Sequence, residues 1–322
     1  LDEQRGVVQN ELRQYQNEPY SVTEDLIIKG TYPPNHPYSW SVGGSIEDLS
    51  NAKLEDVHKW FETYYGPNNA VVAIAGDIDT KTVVEKVKTY FGDIPPSPPV
   101  ARHSGWVAKR TGTHRQSVQD RVAQARLYKV WNIPGWGTAC ADKLDLVSSI
   151  LADGKTSRLY KRLVYDDQLA TSVNAYVNTR EIAGLFQIQA DARPGVDLAK
   201  VEKAIDEELA RFLADGPTAA EVERVKAQFA ARFIRGVERI GGFGGKSDIL
   251  ASSMVYGGSP DAYKTTLKHI DEATAATLKE SAAYWLADGV YVLEVTPYPA
   301  FAAAKSGVDR KAPPAVGPAP QA

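Results

Sequence analysis

A single cysteine in 322 residues excludes any disulfide within the chain. Cys140 lies in the apolar segment ACADKLDLVSSIL, where a thiol is more often part of helix packing than a nucleophile. No apolar run approaches the roughly 18 residues of a membrane-spanning helix. A formal charge of -3 and a pI near 6.0 leave no positive excess for nucleic acid or anionic lipid. We therefore expect neither a nucleic-acid partner nor a membrane span.

The residues that are present, 43% of them hydrophobic, are enough to bury at least one sizeable core. Apolar residues at helical spacing predict helices over 2–16, 54–64 and 80–92. Between the last two, NAVVAIAGDID (69–79) is short, apolar and rich in β-branched residues, so it predicts a buried strand. The prolines that follow forbid both helix and central strand, and they predict an interdomain linker over 94–112.

Beyond the linker the pattern predicts a second domain over 113–300. It contains a strand over 117–134, a hairpin of alternating strands over 170–194 and a closing strand over 289–297. The helices of this part are predicted over 141–153, 157–165, 197–213, 218–238 and 272–286. Residues 301–322 are rich in Pro and Ala with little to bury, which is typical of a linker or disordered tail.

A weak internal repeat links the two parts of the chain. A shift of 221 positions sets Val57 of one helix on Leu278 of another, and Val71 of the following apolar segment on Val292. This agreement indicates either two copies of one domain or a chance match between amphipathic helices. If the repeat is real, residues 1–93 are the C-terminal half of a first copy that begins about a hundred residues before the printed sequence.

Three stretches together resemble the pitrilysin/insulinase-type zinc metallopeptidases, and in particular the bacterial relatives of mitochondrial processing peptidase. They are LDEQRGVVQNELRQYQNEPY, NHPYSWSVGGSIEDLSNAKLEDVHKWFETYYGPNNAVVAIAGDID, and SVQDRVAQARLYKVWNIP with LVSSILADGKTSRLYKRLVYDDQLATSV. The resemblance covers residues 1 to about 297. It implies an α+β fold of two homologous domains, each a mostly antiparallel sheet with helices packed on one side, facing each other across a chamber.

The resemblance also implies a zinc site. In this family two His of a His-x-x-Glu-His helix and a Glu of a later helix bind zinc, and the Glu of the motif is the general base. The later Glu falls on Glu11, in the segment VVQNE, and Gln4 stands where many members have a second carboxylate. Without the resemblance, Glu11 would be interpreted as a solvated helix carboxylate. The five His, at 36, 58, 103, 114 and 269, contain no such pair, so no catalytic residue is expected in this chain.

The family's substrate clamp, an Arg and a Tyr seven residues later, falls on Val164 and Thr171. Neither side chain can donate hydrogen bonds as the Arg and Tyr would. In the two-chain branch one subunit holds the metal motif and the other the Arg/Tyr pair. The resemblance therefore implies the metal-bearing subunit, dimerised with a related subunit that carries the clamp. The alternative is a subunit that has lost both functions.

The predicted function is that of a zinc-dependent endopeptidase subunit, a hydrolase acting on peptides or unfolded segments that add as a strand to a sheet edge. This chain by itself is predicted to be inactive. The alternative is a non-catalytic core or scaffold subunit of a hetero-oligomeric peptidase. The low cysteine count and the Pro/Ala tail are compatible with a bacterial periplasm, which is favoured over the cytoplasm.

Overall fold

A computed structural model describes residues 1–303 of the chain. The helices are α1 (Asp2–Gln16), α2 (Val22–Thr31), α3 (Ile46–Asn51), α4 (Leu54–Tyr64), α5 (Thr80–Phe91), α6 (Ala139–Ala152), α7 (Leu198–Asp215), α8 (Ala219–Glu238), α9 (Lys246–Gly257), α10 (Tyr263–Glu272) and α11 (Ala275–Leu286). The strands are β1 (His114–Asp120), β2 (Arg126–Ile133), β3 (Ala170–Thr179), β4 (Gly184–Ala192) and β5 (Tyr291–Pro297). A 3₁₀ turn lies at Pro67–Asn69 and a π-helical segment at Tyr160–Asp166.

The five strands form one mixed sheet in the order β1-β5-β2-β4-β3. The β1–β5 pair is parallel and the other three pairs are antiparallel. The predicted hairpin is the β3–β4 pair, and the predicted closing strand is β5, which lies between β1 and β2. The stretch over 117–134 was predicted as one strand, but it contains the end of β1 and all of β2, because residues 121–125 turn the chain between them.

Strand β2 shows how the sheet divides the core into two layers. Its side chains alternate between faces, as pleating requires. Leu127, Trp131 and Ile133 point to the layer formed mainly by α6, α7, α8 and α11. Tyr128 and Val130 point to the opposite face. Because both faces are covered, every residue from Leu127 to Ile133 is buried.

Helix α2 covers part of the second face. Ile27, Ile28 and Tyr32 pack with Tyr128 and Leu293 in a smaller core cluster. The expectation of helices on one side therefore describes the larger layer but not α2. The covered area explains why the 22–31 segment forms a helix despite its two central isoleucines, since tertiary packing outweighs a modest helix propensity.

Helix ends coincide with residues that can cap them. Side chains of Thr138, Asp197 and Thr218 accept backbone N–H groups in the first turns of α6, α7 and α8. Helix α7 ends at Gly216, whose φ of 78° is accessible to glycine at little cost. The two helices predicted over 197–213 and 218–238 are α7 and α8, and Gly216 and Pro217 lie between them.

The strand predicted over 69–79 is not formed. The segment has no ladder partner within residues 1–303, and Val72 and Ile74 are 59% and 48% exposed. An isolated extended segment cannot satisfy its own backbone hydrogen bonds, so β propensity alone does not make a strand. Both copies of the repeat contain the predicted helix, which is α4 in the first and α11 in the second. Of the two apolar segments that follow, only the second, β5, lies in a sheet. The described residues form a single α+β domain rather than two sheets.

The proline-rich segment between α5 and β1 contains neither helix nor strand, and it packs on the hairpin. Trp106 N–H donates to the Ile182 carbonyl (3.1 Å), and the Trp106 carbonyl accepts from His36 Nε2 (2.9 Å). The predicted tail over 301–322 lies, from residue 304 onward, outside the described residues. Within residues 1–303, no helix combines the length and apolar character needed to cross a bilayer.

Candidate functional site

Helix α1 places Glu11 on a face with few contacts. Arg5 anchors the helix by donating to the carbonyls of Leu49 (3.1 Å) and Ala52 (2.6 Å), and Gln9 donates to Ser50 (3.0 Å). Seven residues make nearly two helical turns, so Gln4 and Glu11 share a face, turned away from these contacts. Both side chains are exposed, and no cation within residues 1–303 forms an ion pair with Glu11.

Three neighbours of Glu11 on this face are apolar or aromatic, and the hydroxyl of Tyr15 donates to Glu24 (3.0 Å). Val7, Val8 and Tyr15 are 54%, 38% and 44% exposed. Helix α1 has no buried residue at all. A carboxylate without a cation, flanked by uncovered apolar side chains, can ligate a hard or borderline cation when another segment covers the face. The same carboxylate is also compatible with simple solvation.

Glu11 cannot hold a metal ion by itself. Among the residues that the structure describes there is no group of three or more His, Cys, Asp or Glu side chains placed to bind one. A zinc ion bound by three protein ligands needs two further donors from elsewhere. The chemistry of Glu11 fits one anionic ligand, and no catalytic step follows from this chain's own residues.

The two clamp positions lie at the edge of the sheet. Val164, in the π-helical segment, is half-buried against the core, and Thr171, at the start of β3, is exposed. The Thr171 hydroxyl donates to the Asp191 carbonyl at 3.3 Å. Between the two positions lies Arg193, which donates to the carbonyl of Val164 (3.4 Å) and to Gln168 Oε1 (3.1 Å). Both positions thus make structural contacts in this structure.

A His–Asp pair that the sequence did not reveal links α6 to α10. His269 Nδ1 lies 2.6 Å from Asp142 Oδ2, and burial raises the pKa of the Asp142 carboxyl. The two residues are 127 positions apart, so no spacing in the sequence could indicate the pair. Thr266 Oγ1 approaches the same carboxylate at 3.5 Å. The contacts tie two helices of the larger layer together, and the pair does not involve Glu11 or the clamp positions.

Comparisons with known proteins give the fold a family context. The chain is 25% identical over 238 residues to the uncharacterized zinc protease YmxG of Bacillus subtilis, covering 74% of this chain and 57% of that protein. It is 28% identical over 211 residues to the zinc protease PqqE of Helicobacter pylori, covering 63% of this chain and 46% of that protein. The chain thus spans about half the length of these curated relatives.

Solved structures share the fold. A crystal structure of a protease from Helicobacter pylori matches with a TM-score of 0.81 at 23% identity, over 91% of this chain and 71% of that one. A crystal structure of a peptidase M16 inactive domain from Pseudomonas fluorescens matches with a TM-score of 0.78 at 17% identity, over 94% and 71%. The resemblance inferred from the motifs is confirmed. Residues 51–229, more than half of the chain, match the family described as "Peptidase M16 inactive domain", and the chain therefore belongs to the peptidase M16 family.

Proposed function

We propose that this chain is part of the metal-bearing subunit of an M16-type zinc endopeptidase, with Glu11 as the anionic ligand. One observation carries the proposal: within residues 1–303 Glu11 is a carboxylate without a cation partner, flanked by exposed Val7, Val8 and Tyr15 on a helix with no buried residue. The named zinc proteases among the relatives support a zinc cofactor. When bound by two imidazoles and this carboxylate, zinc would lower the pKa of a bound water and polarise the scissile carbonyl.

The proposal includes the domain arrangement inferred from the repeat. Residues 1–93 form the C-terminal half of a first domain, 94–112 the linker and 113–300 the second, homologous domain, and the two face each other across a chamber. The exposed apolar segment 69–79 supports this arrangement, because strands of a first domain would give it ladder partners and cover it. The His-x-x-Glu-His motif then lies outside the printed residues.

A partner subunit supplies the substrate clamp. Val164 and Thr171 cannot donate to a substrate backbone as Arg and Tyr do, and in the structure they contact the core and Asp191 instead. The complete enzyme is therefore a dimer of related subunits that hydrolyses peptides or unfolded segments. This chain contributes the metal ligand and the related subunit contributes the clamp.

A second function, a non-catalytic scaffold subunit, is favoured by two facts. The matched family description is that of an inactive domain, and both clamp positions are degenerate. The coding sequence upstream of residue 1 separates the two functions. A His-x-x-Glu-His motif on the order of eighty residues before Glu11 supports the peptidase, whereas a sequence of the same length without it supports the scaffold.

A further inference from the structure

A large aromatic cleft lies away from the clamp positions. Its volume is about 1190 Å³, and it opens between the loop before α3, helix α4, the β3–β4 turn and α9. Six aromatic side chains line it: Tyr38, Trp40, Trp60, Tyr64, Trp136 and Tyr256. The rings of Trp60 and Tyr64 are tilted by 42° with centroids 4.3 Å apart, and the centroids of Trp136 and Tyr256 lie 5.9 Å apart. Three of the six tryptophans of the whole chain thus face one cavity.

These rings remain accessible. Trp40 and Trp60 are 60% and 57% exposed, although large aromatic side chains favour burial. An exposed aromatic cleft of this size is typical of a binding site rather than of a bare surface. Binding a ligand against these rings costs little side-chain conformational entropy, because each aromatic side chain has only two rotatable bonds.

One positive charge in the cleft has no carboxylate partner. Arg180, in the β3–β4 turn, is half-buried, and its guanidinium lies 5.1 Å from the ring of Tyr38. No carboxylate within residues 1–303 forms an ion pair with it. The nearby Glu181 is paired with Arg102 at 3.0 Å, and His103 is the remaining titratable side chain with a basic nitrogen on the wall. The unpaired charge on the aromatic surface is therefore positive.

The cleft is also continuous with the helix of the proposed metal ligand. Ser41 and Val42 line the cleft, and Gly43, the next residue of the same loop, approaches α1. Gly43 lies so close to Leu12 that a Cβ at this position would be 3.1 Å from the leucine Cδ2. A segment bound in the cleft would thus lie next to the loop that contacts α1.

We propose that the aromatic cleft binds a peptide segment in which a bulky apolar residue stands next to an acidic residue. The apolar side chain lies among Trp40, Trp60 and Trp136, and the carboxylate pairs with Arg180. Charge-assisted pairing with a guanidinium beside an aromatic surface provides both orientation and affinity. The inference rests on the proposed function, because it names the class of peptide that an M16-type subunit would select.

Calorimetric titration of residues 1–322 with capped peptides tests the cleft without any turnover. The probes are an acetylated and amidated hexapeptide with a central Phe-Glu pair, and the same peptide with Phe-Gln or Ala-Glu. We expect the Phe-Glu peptide to bind about tenfold more tightly than either variant, since each variant loses one of the two interactions.

Protein variants assign these interactions to residues. Arg180→Gln should weaken binding of the Phe-Glu peptide about tenfold and leave the Phe-Gln peptide unchanged. Trp60→Ala, on an exposed ring, should weaken both peptides about fivefold without affecting folding. Matched controls are Arg235→Gln and Tyr90→Ala, which alter an exposed cation and an exposed ring outside the cleft and should change nothing.

Equal affinity for the Phe-Glu and Phe-Gln peptides would overturn the role of Arg180, and unchanged binding in Trp60→Ala would overturn the cleft. The result is separable from the proposed function. If the Phe-Glu peptide binds but the complete protein contains no zinc and hydrolyses no peptide, the cleft proposal stands and the peptidase proposal is wrong. If the complete protein contains zinc and hydrolyses peptides but does not prefer the Phe-Glu peptide, the peptidase proposal stands and the cleft proposal is wrong.

Discussion

The ion pair between Arg158 and Glu221 should make the stability of the fold depend on pH between about 4.5 and 2. Arg158 donates from Nε and from a terminal nitrogen to the two carboxylate oxygens, both at 2.7 Å. The Thr218 N–H also donates to this carboxylate, in the capping box of α8. These donors, with Arg158 first, lower the pKa of the Glu221 carboxyl from 4.5 to about 2.

The magnitude follows from linkage. A pKa of about 2 in place of 4.5 corresponds to roughly 3 kcal/mol, and because both side chains keep about one-fifth of their surface exposed, screening by water reduces this to about 2 kcal/mol. Since the folded pKa is the lower one, this stabilisation is fully present above pH 4.5. It is lost as the pH falls through 4.5 towards 2.

Urea unfolding followed by far-ultraviolet circular dichroism measures this effect in the parent chain and in Arg158→Met. We expect the variant to be about 2 kcal/mol less stable at pH 7. We expect the difference to shrink as the pH falls towards 2, down to the part that comes from the hydrogen bond of Arg158 to the Gly216 carbonyl (3.0 Å). Arg102→Met is the control, because its pair with Glu181 is largely exposed and should contribute less than about 0.5 kcal/mol. A difference of the same size at both pH values would refute the assignment of Glu221.

Three further predictions concern the metal, the clamp and the core. Purified residues 1–322 should retain well under one zinc per chain after dialysis, because one carboxylate gives a small part of the affinity of a three-ligand site; stoichiometric zinc measured by plasma mass spectrometry would contradict this. In the complete enzyme, Val164→Arg with Thr171→Tyr should reduce the dependence of peptide turnover on the partner subunit, and unchanged dependence would count against the clamp assignment. Phe186→Ala should cost about 3–5 kcal/mol in urea unfolding, since Phe186 is fully buried at the centre of the larger core; a cost below 1 kcal/mol would contradict that packing.

The second part of the fold could be predicted because its signals are local. The hairpin over 170–194 alternates residue by residue, and the helices of this part carry periodic apolar faces with caps such as Thr218. The order of the strands in the sheet could not be predicted. The placement of β5 between β1 and β2 depends on contacts across more than 150 residues, as the register of His114 with Tyr291 shows.

The first part shows where local signals fail. Segment 69–79 has the composition of a buried strand, yet in this structure it is extended and exposed, because a strand is defined by its neighbours. The π-helical form of 160–166 was not predicted either, since periodicity at 3.6 residues cannot distinguish one wide turn from the regular helix.

The candidate site was predictable only through the family resemblance. Glu11 has no distinguishing neighbour in the sequence, and nothing in its spacing separates it from a solvated carboxylate. The aromatic cleft could not be predicted from the sequence for a different reason. Trp60 and Trp136 lie 76 positions apart, and nothing in their spacing indicates that they line one cavity.

The central claim is that Glu11 is a zinc ligand. Zinc content and peptide turnover of the polypeptide that includes the residues upstream of residue 1 test it most directly, in the parent protein and in Glu11→Gln. Helix α1 accepts Gln as well as Glu, so thermal unfolding should be unchanged, whereas a neutral amide is a poorer zinc ligand. Glu3→Gln, on the same helix, is the matched control. We predict that zinc and turnover are both lost in Glu11→Gln alone. Normal zinc content and turnover in that variant would show that Glu11 is a solvated helix carboxylate.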